Sequence, residues 1–140
     1  MSRLRLAPDE RQRLEVLARM VAGARLLVHP ARKCPDFAWL GESLENGAPV
    51  IHLADSLDLA AFRAVTRPGI ALKDIPEDKI YEFIVRHELS HLVHRDREAC
   101  LAAARSGEAG LAERVCRECE TRADREAWAA ILESVTNESG

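Results

Sequence analysis

The sequence predicts an α+β fold, in which a mainly helical domain carries a small, largely antiparallel sheet of about three strands. Two observations predict it: apolar residues recur at helical spacing in several long stretches, and short strand-like runs lie between the first two of these stretches. The composition, with 47% hydrophobic and 31% charged residues, is typical of a globular protein. A chain of 140 residues is expected to form one domain over 1–140.

The first helix is predicted from about residue 8 to residue 23. Pro8 suits the first turn of a helix, and the acidic Asp9 and Glu10 are favourable at the positive end of the helix dipole. Gly23 is a typical residue at which a helix ends. Between these signals, apolar residues follow helical spacing at Leu14, Leu17, Ala18 and Val21.

The sheet is predicted from a hairpin in the next part of the chain. The runs 37–40 and 50–53 are rich in strand-forming residues. Between them, Asn46-Gly47 tolerates the positive φ of a tight turn. A short apolar stretch at 26–28 precedes the hairpin. We expect the strand at 50–53 to lie at the sheet edge, where a peptide could bind as an added strand.

The second half of the sequence predicts three further helices. Residues 55–75 show no clear periodicity, but Pro76, followed by two acidic residues, begins a strong helix that runs to about His94. A third helix is predicted over about 97–105 and a last one over about 111–135, separated by glycines. The helix that begins at Pro76 is expected to pack beneath the sheet.

That second helix contains an HExxH motif, His87-Glu88-Leu89-Ser90-His91. Residues four apart lie on one face of a helix, so both imidazoles can reach one metal ion. Glu88 lies one step round the helix, close enough to act as a general base on the attacking water. The motif therefore predicts a metal centre with His87 and His91 as ligands and Glu88 as the catalytic residue.

A third ligand is expected from another element, because catalytic zinc usually has three protein ligands and one open position. Three glutamates of the last predicted helix compete: Glu118, Glu120 and Glu126. Glu120 shares one helical stripe with Cys116, Ala123, Ala127 and Ile131. Glu118 instead shares a face with arginines, and Glu126 is flanked by Arg122, so both fit exposed ion pairs. Helical phase therefore favours Glu120.

Asp124 lies one helical turn after Glu120. A carboxylate at that position would accept the far ring N–H of a ligand histidine and fix its tautomer. The alternative is an ion pair with a neighbouring arginine, Arg117 or Arg125. Of these two interpretations, which both stay open here, we favour Asp124 as the partner of the ring nitrogen that does not face the metal.

With these two motifs, the chain resembles the gluzincin branch of the zincin metallopeptidases, in which HExxH is followed by ExxxD. It is similar in particular to the small ImmA/IrrE-type and phage-type metallopeptidases, whose usual pattern is HELxH and then ExxA[ND]xxA. The second pattern here runs from Glu120 to Ala127, and the match covers about residues 35–132, with Ser90 where glycine is common. The resemblance implies a zincin-like fold, a bound Zn²⁺, a cytoplasmic location and hydrolysis of peptide bonds, often in a regulatory protein.

The leading hypothesis is a zinc-dependent endopeptidase that acts on a protein or peptide substrate. Its developing oxyanion would need a donor, for which Tyr81, His94 and His52 are candidates. The alternative is a binding or regulatory module on a zincin scaffold that keeps the metal with little turnover. A third interpretation is a helical adaptor without metal.

The four cysteines allow a second, different site. Cys116 and Cys119 form a CxxC pattern, which with Cys100 and His94 would make a structural zinc site. A redox pair is another possibility, and ordinary small helix residues a third. A CxxC within a long helix lacks the strand-to-helix turn that redox motifs use.

Charge and hydropathy exclude two classes of partner. The net charge is −3, and acidic and basic residues are interleaved, so no basic surface for nucleic acid is predicted. No apolar run approaches the ~18 residues of a membrane span. No signal-peptide pattern begins the chain, and we expect a cytoplasmic protein with reduced cysteines.

Overall fold

The computed structural model of the protein describes residues 3–34, 37–42, 46–67 and 69–139. Within this part of the chain, the helices are α1 (Pro8–Ala22), α2 (Leu59–Ala64), α3 (Ile80–Val93), α4 (Asp96–Arg105) and α5 (Leu111–Ser139). The strands are β1 (Arg3–Arg5), β2 (Arg25–His29), β3 (Ala38–Glu42), β4 (Pro49–Ala54) and β5 (Ser56–Asp58). Helices dominate the described residues, and the strands form two small, mostly antiparallel sheets, so the predicted α+β class is confirmed.

The main sheet has three strands in the order β2-β4-β3. β3 and β4 are antiparallel, as the hairpin signal predicts, and Gly47 in their connection has a φ of 72°. Asn46 stabilises that connection by accepting a hydrogen bond from the backbone N–H of Ala48 at 3.0 Å. β2, which contains the apolar stretch 26–28, pairs with β4 in parallel, so the sheet is mixed.

The expectation that the strand at 50–53 lies at the sheet edge is wrong. β4 is the central strand, because it pairs on one side with β3 and on the other with β2. Its buried residues Ile51 and Leu53 suit this central position. Of the two edge strands, β3 makes the more extensive contact with α3, so the edge nearest the HExxH motif belongs to β3.

A second, two-stranded sheet pairs β1 with β5 in antiparallel register. It was not predicted, because three-residue strands carry too little periodicity to be recognised. The guanidinium of Arg3 donates to the hydroxyl of Ser56 at 2.9 Å, which ties the first described residues to the segment before α2.

The predicted helices are confirmed with small changes at their ends. α1 ends at Gly23, whose φ of 61° is the left-handed conformation that glycine adopts without strain. The helix predicted from Pro76 starts with a short 3₁₀ turn over Glu77–Lys79 before α3 begins. α5 continues to Ser139, beyond the expected end near 135.

α3 is the central element of the fold and packs against α1, α5 and the inner face of the main sheet. Its buried residues include Ile80, Tyr81, Phe83, Ile84 and Val85, and the core continues into α5 at Ala127 and Ile131. Burial on nearly all sides holds the HExxH motif in a fixed position. Among the described residues, no helix combines the length and the apolar composition needed to cross a membrane.

Candidate metal centre

The two histidines of the HExxH motif lie on the same side of α3, one helical turn apart. His87 is buried and His91 is half-buried, and their Nε2 atoms are 3.1 Å apart. The ring planes are nearly perpendicular, at 83°. Both Nε2 atoms therefore point to one spot, as helical spacing predicts.

Glu120 reaches the same spot from α5. Its Oε2 lies 3.0 Å from Nε2 of His87, and its Oε1 lies 3.1 Å from Nε2 of His91. The side chain is 51% exposed, so Glu120 lies at the edge of the apolar stripe of α5, whose Ala123 and Ala127 are buried. Its carboxylate still bridges both imidazoles.

The competing glutamates lie elsewhere. Glu118 is exposed. Glu126 accepts a hydrogen bond from the hydroxyl of Ser90 at 2.8 Å and pairs with His94 Nε2 at 2.8 Å. Ser90, the position where the resembled family often has glycine, thus uses its hydroxyl to join α3 to α5. As helical phase predicts, Glu120 is the one of the three that contacts both histidines. Glu126, expected in an exposed ion pair with Arg122, instead contacts Ser90 and His94 more closely, with Arg122 at 3.8 Å.

An aspartate contacts Nδ1 of each histidine, the ring nitrogen that points away from Glu120. Nδ1 of His87 lies 2.7 Å from Oδ1 of Asp124, a side chain that is 1% exposed. Nδ1 of His91 lies 2.7 Å from Oδ2 of Asp96, the first residue of α4. Asp124 therefore has the contact that the sequence indicates, and the ion pair with Arg117 or Arg125 is not its contact here. Asp96 was missed by the sequence reasoning.

Each aspartate is in turn paired with an arginine. The guanidinium of Arg67 donates to Asp124 at 3.4 Å and to Glu120 at 3.5 Å. Arg122 donates to Asp96. The centre thus contains two His–Asp–Arg chains, His87–Asp124–Arg67 and His91–Asp96–Arg122. No sequence signal identifies Arg67, which lies in the unpatterned segment 55–75.

The contacts shift the pKa values of the converging groups. Burial lowers the pKa of His87, but hydrogen bonds to Asp124 and Glu120 outweigh burial and raise it to about 9. For His91, burial is likewise outweighed by hydrogen bonds to Glu120 and Asp96, so its pKa is raised. Hydrogen bonds from both histidines hold the pKa of Glu120 well below its usual range.

The donor set fits a divalent metal ion. When each Nδ1–H is donated to an aspartate, the Nε2 atoms present lone pairs to one another and to the carboxylate of Glu120. Lone pairs about 3 Å apart repel unless a proton or another cation lies between them. Two imidazoles and a carboxylate are ligands that suit zinc. Among the described residues, His87, His91 and Glu120 are the only such cluster whose ligand atoms all lie within 4.8 Å.

Glu88 faces a cavity that opens directly beside this cluster. The cavity has a volume of about 340 Å³ and shares His87 and Glu120 with the cluster. Burial raises the pKa of Glu88 the most, while the nearby histidines lower it. The remaining lining of the cavity is mostly apolar, from Phe37, Ala38, Phe62, Val65, Phe83 and Ile84, and also includes Arg67, which lies beside Glu120. We call it the apolar cavity.

None of the three oxyanion donors suggested by the sequence lines the apolar cavity. Tyr81 is buried, and its hydroxyl donates to the carbonyl of Ala54 at 2.9 Å. His52 lies on the outer face of the sheet, stacked on Trp39 with an interplanar angle of 5°. His94 is paired with Glu126 instead. Arg67 is the one arginine or lysine among the described residues that line the cavity.

The cysteines form no second ligand cluster in the described part of the chain. Cys100, Cys116 and Cys119 are free thiols, and they do not bring three ligand atoms together with His94. Burial raises the pKa of both Cys100 and Cys119, which lowers their reactivity as thiolates.

Comparison of the chain with models of protein families, with curated proteins and with solved structures finds no match. The resemblance to zincin metallopeptidases therefore stays a prediction that rests on the two sequence motifs.

Proposed function

We propose that the chain is a zinc-dependent endopeptidase that cuts a protein or peptide substrate. The observation that carries this proposal is the convergence of His87, His91 and Glu120 on one spot, with Glu88 facing the adjoining cavity. Three protein ligands, with each ligand histidine hydrogen-bonded to a carboxylate, are typical of a catalytic zinc site. We also propose that the chain is related to the ImmA/IrrE-type metallopeptidases, which its two motifs resemble.

In this mechanism, His87, His91 and Glu120 would hold the metal. Zinc, when bound, supplies a Lewis acid that polarises the peptide carbonyl and lowers the pKa of water. Glu88 accepts the proton of the attacking water and delivers it to the leaving amine. Burial raises the pKa of Glu88, which makes its carboxylate a stronger base than an exposed glutamate.

The edge of β3 supports an extended binding mode for the substrate. β3 contacts α3 and, among the described strands, pairs only with β4, so its other side can accept a peptide as an added strand. The proposed location is the cytoplasm, where free thiols such as the four described cysteines are kept reduced.

The experiment is a peptidase assay on zinc-loaded protein, with metal content measured on each variant. Glu88→Gln should abolish hydrolysis and keep one zinc per chain, because it removes the base but no ligand. Glu120→Ala should lose zinc and activity together. Glu118→Ala, a matched change two residues away on the exposed face of α5, should keep both.

The outcomes separate the three functional hypotheses. Equal zinc loss in Glu118→Ala and Glu120→Ala would refute the assignment of the third ligand. A wild-type chain that binds zinc but hydrolyses no protein or peptide would favour the binding module. A chain that binds no metal even when zinc is supplied would overturn the proposal and favour a helical adaptor.

A further inference from the structure

The apolar cavity bears directly on which peptides the proposed enzyme would cut. Its polar lining comes from His87, Glu88 and Glu120, and the rest of its lining is mostly apolar, with Ala38 contributed by β3. A peptide bond presented to Glu88 therefore lies beside the polar lining residues. The side chain next to that bond lies within reach of the apolar lining residues.

The apolar wall is rigid, because most of it belongs to the hydrophobic core. Phe62 and Phe83 are each 3% exposed, and Phe37 packs edge-on against Phe62 with ring centroids 5.4 Å apart. The small side chain of Ala38 contributes to the same wall from β3. A volume of about 340 Å³ lies within the range of small ligand pockets, about 300–1,000 Å³.

The charges around the cavity disfavour charged side chains. Arg67 is already paired with Glu120 and Asp124, so it is not a free partner for an acid. An acidic side chain would also approach the carboxylates of Glu88 and Glu120. A basic side chain would lose its water among the aromatic rings, which is costly. The two carboxylates in the lining are already engaged, because Glu120 bridges both histidines and Glu88 is the proposed base.

We propose that the apolar cavity is a specificity pocket, which receives one large apolar side chain from the residue adjacent to the cleaved bond. This inference rests on the proposed peptidase function and adds the substrate class to it. Phenylalanine and leucine are the side chains that match an aromatic and aliphatic wall of this volume. An alanine side chain would leave the pocket empty, and the charged side chains of glutamate and lysine are disfavoured by its mostly apolar lining.

The test uses the zinc-loaded full chain and five peptides that differ at one position only: Phe, Leu, Ala, Glu or Lys. We measure kcat/KM for each peptide and identify the cleaved bond by mass spectrometry. The Phe and Leu peptides should be cut at least about tenfold faster than the Ala peptide, since apolar pocket contacts discriminate by about 10–200-fold per methylene. Cleavage should occur next to the varied residue.

Ala38→Leu tests the pocket itself, because the larger side chain fills the cavity from the β3 side. It should lower kcat/KM for the Phe peptide about tenfold more than kcat/KM for the Ala peptide. Ala60→Leu is the matched control: it makes the same change on the exposed surface of α2, outside the cavity lining. If Ala38→Leu does not fold, Val65→Asn at the 37%-exposed lip should weaken the Phe preference instead.

Each outcome decides the inference. Preference for Phe and Leu that is lost in Ala38→Leu and kept in Ala60→Leu supports it. Equal cleavage of all five peptides, dependent on Glu88, overturns the pocket and leaves the peptidase function standing. Failure to cut any peptide or protein overturns both, and zinc content then shows whether the metal centre survives.

Discussion

The orientation of the two candidate ligand histidines is fixed by residues behind them. Asp124 lies 2.7 Å from Nδ1 of His87, and Asp96 lies 2.7 Å from Nδ1 of His91. The Nε2 atom of each ring is therefore left to face Glu120. Arg67 and Arg122 then hold the aspartates in place. Because the aspartates are almost completely buried, these arginines supply the counter-charge that burial requires.

Zinc binding should release protons near neutral pH. In the metal-free chain, hydrogen bonds to Asp124 and Glu120 outweigh burial and raise the pKa of His87 to about 9, so the ring is protonated at neutral pH. A ligand histidine must be neutral, so protons compete with zinc. The apparent zinc affinity should therefore rise with pH and level off above about 9. Calorimetry in buffers of different ionisation enthalpy measures the number of protons released when zinc binds. If this number does not fall above pH about 9, the prediction is contradicted.

Asp96→Asn should weaken zinc binding by about 10–100-fold, the usual effect of losing a residue that supports a metal ligand. The change keeps the shape of the side chain but removes the charge that faces His91 and Arg122. Competition with a chelator of known affinity measures it. Asp78→Asn, an exposed acid before α3, is the control and should leave the affinity unchanged. Equal affinities in the two variants would mean that Asp96 is only structural.

The sequence predicted the parts of the centre that lie on a regular helix. Helical spacing identified His87, His91 and Glu120, because residues three or four apart share a face. Asp124 followed by the same rule. Asp96 and Arg67 were missed, since Asp96 begins a new helix after a turn at Arg95 and Arg67 lies outside any periodic segment. Contacts made across turns depend on the tertiary fold, which spacing alone does not determine.

At the scale of the elements, one buried hydrogen bond joins the motif helix to the sheet. The hydroxyl of Tyr81, in the first turn of α3, donates to the carbonyl of Ala54 at the end of β4. Burial is the main cause that raises the pKa of Tyr81, so the hydroxyl stays protonated as a donor. Through this contact, the sheet fixes the start of α3, and hence the direction in which His87 and His91 point.

Tyr81→Phe should lower the free energy of unfolding by about 1–3 kcal/mol, because it leaves the buried carbonyl of Ala54 without this donor. Urea unfolding of the metal-free chain measures it. Thr136→Val removes an exposed hydroxyl-to-carbonyl bond within α5 and should change stability by less than about 0.5 kcal/mol. An unchanged midpoint for Tyr81→Phe would show that the carbonyl finds another partner.

Elements with strong local signals were predicted well, and those defined by long-range pairing were not. Pro8 and Gly23 delimit α1, and the Asn46-Gly47 turn gives the β3–β4 hairpin. The apolar stretch within β2 becomes a parallel strand only because β4 lies beside it. For the same reason, β4 was placed at the edge: a sequence does not state how many neighbours a strand has.

At the scale of the whole molecule, the candidate centre joins segments that are distant in the sequence. Arg67 and Asp124 are 57 residues apart, and His87 and Asp124 are 37 apart. α3, α4, α5 and the segment after α2 must all be in place before the ligands converge. A metal ion at this point would therefore cross-link the helical half of the fold, and its binding free energy would add to the stability of the whole chain.

Zinc should raise the melting temperature of the wild-type chain by roughly 10 °C when its free concentration is about 100 times Kd, since this adds about 2.7 kcal/mol. Differential scanning calorimetry with and without zinc measures the shift, and a chelator should reverse it. Glu120→Ala should show little shift, because one of three ligands is lost. The same variant also separates the two zinc sites that the sequence allows. If zinc stabilises Glu120→Ala as much as the wild type, and Cys116→Ser removes that effect, the metal binds at the cysteines, and the centre on α3 is not where zinc acts.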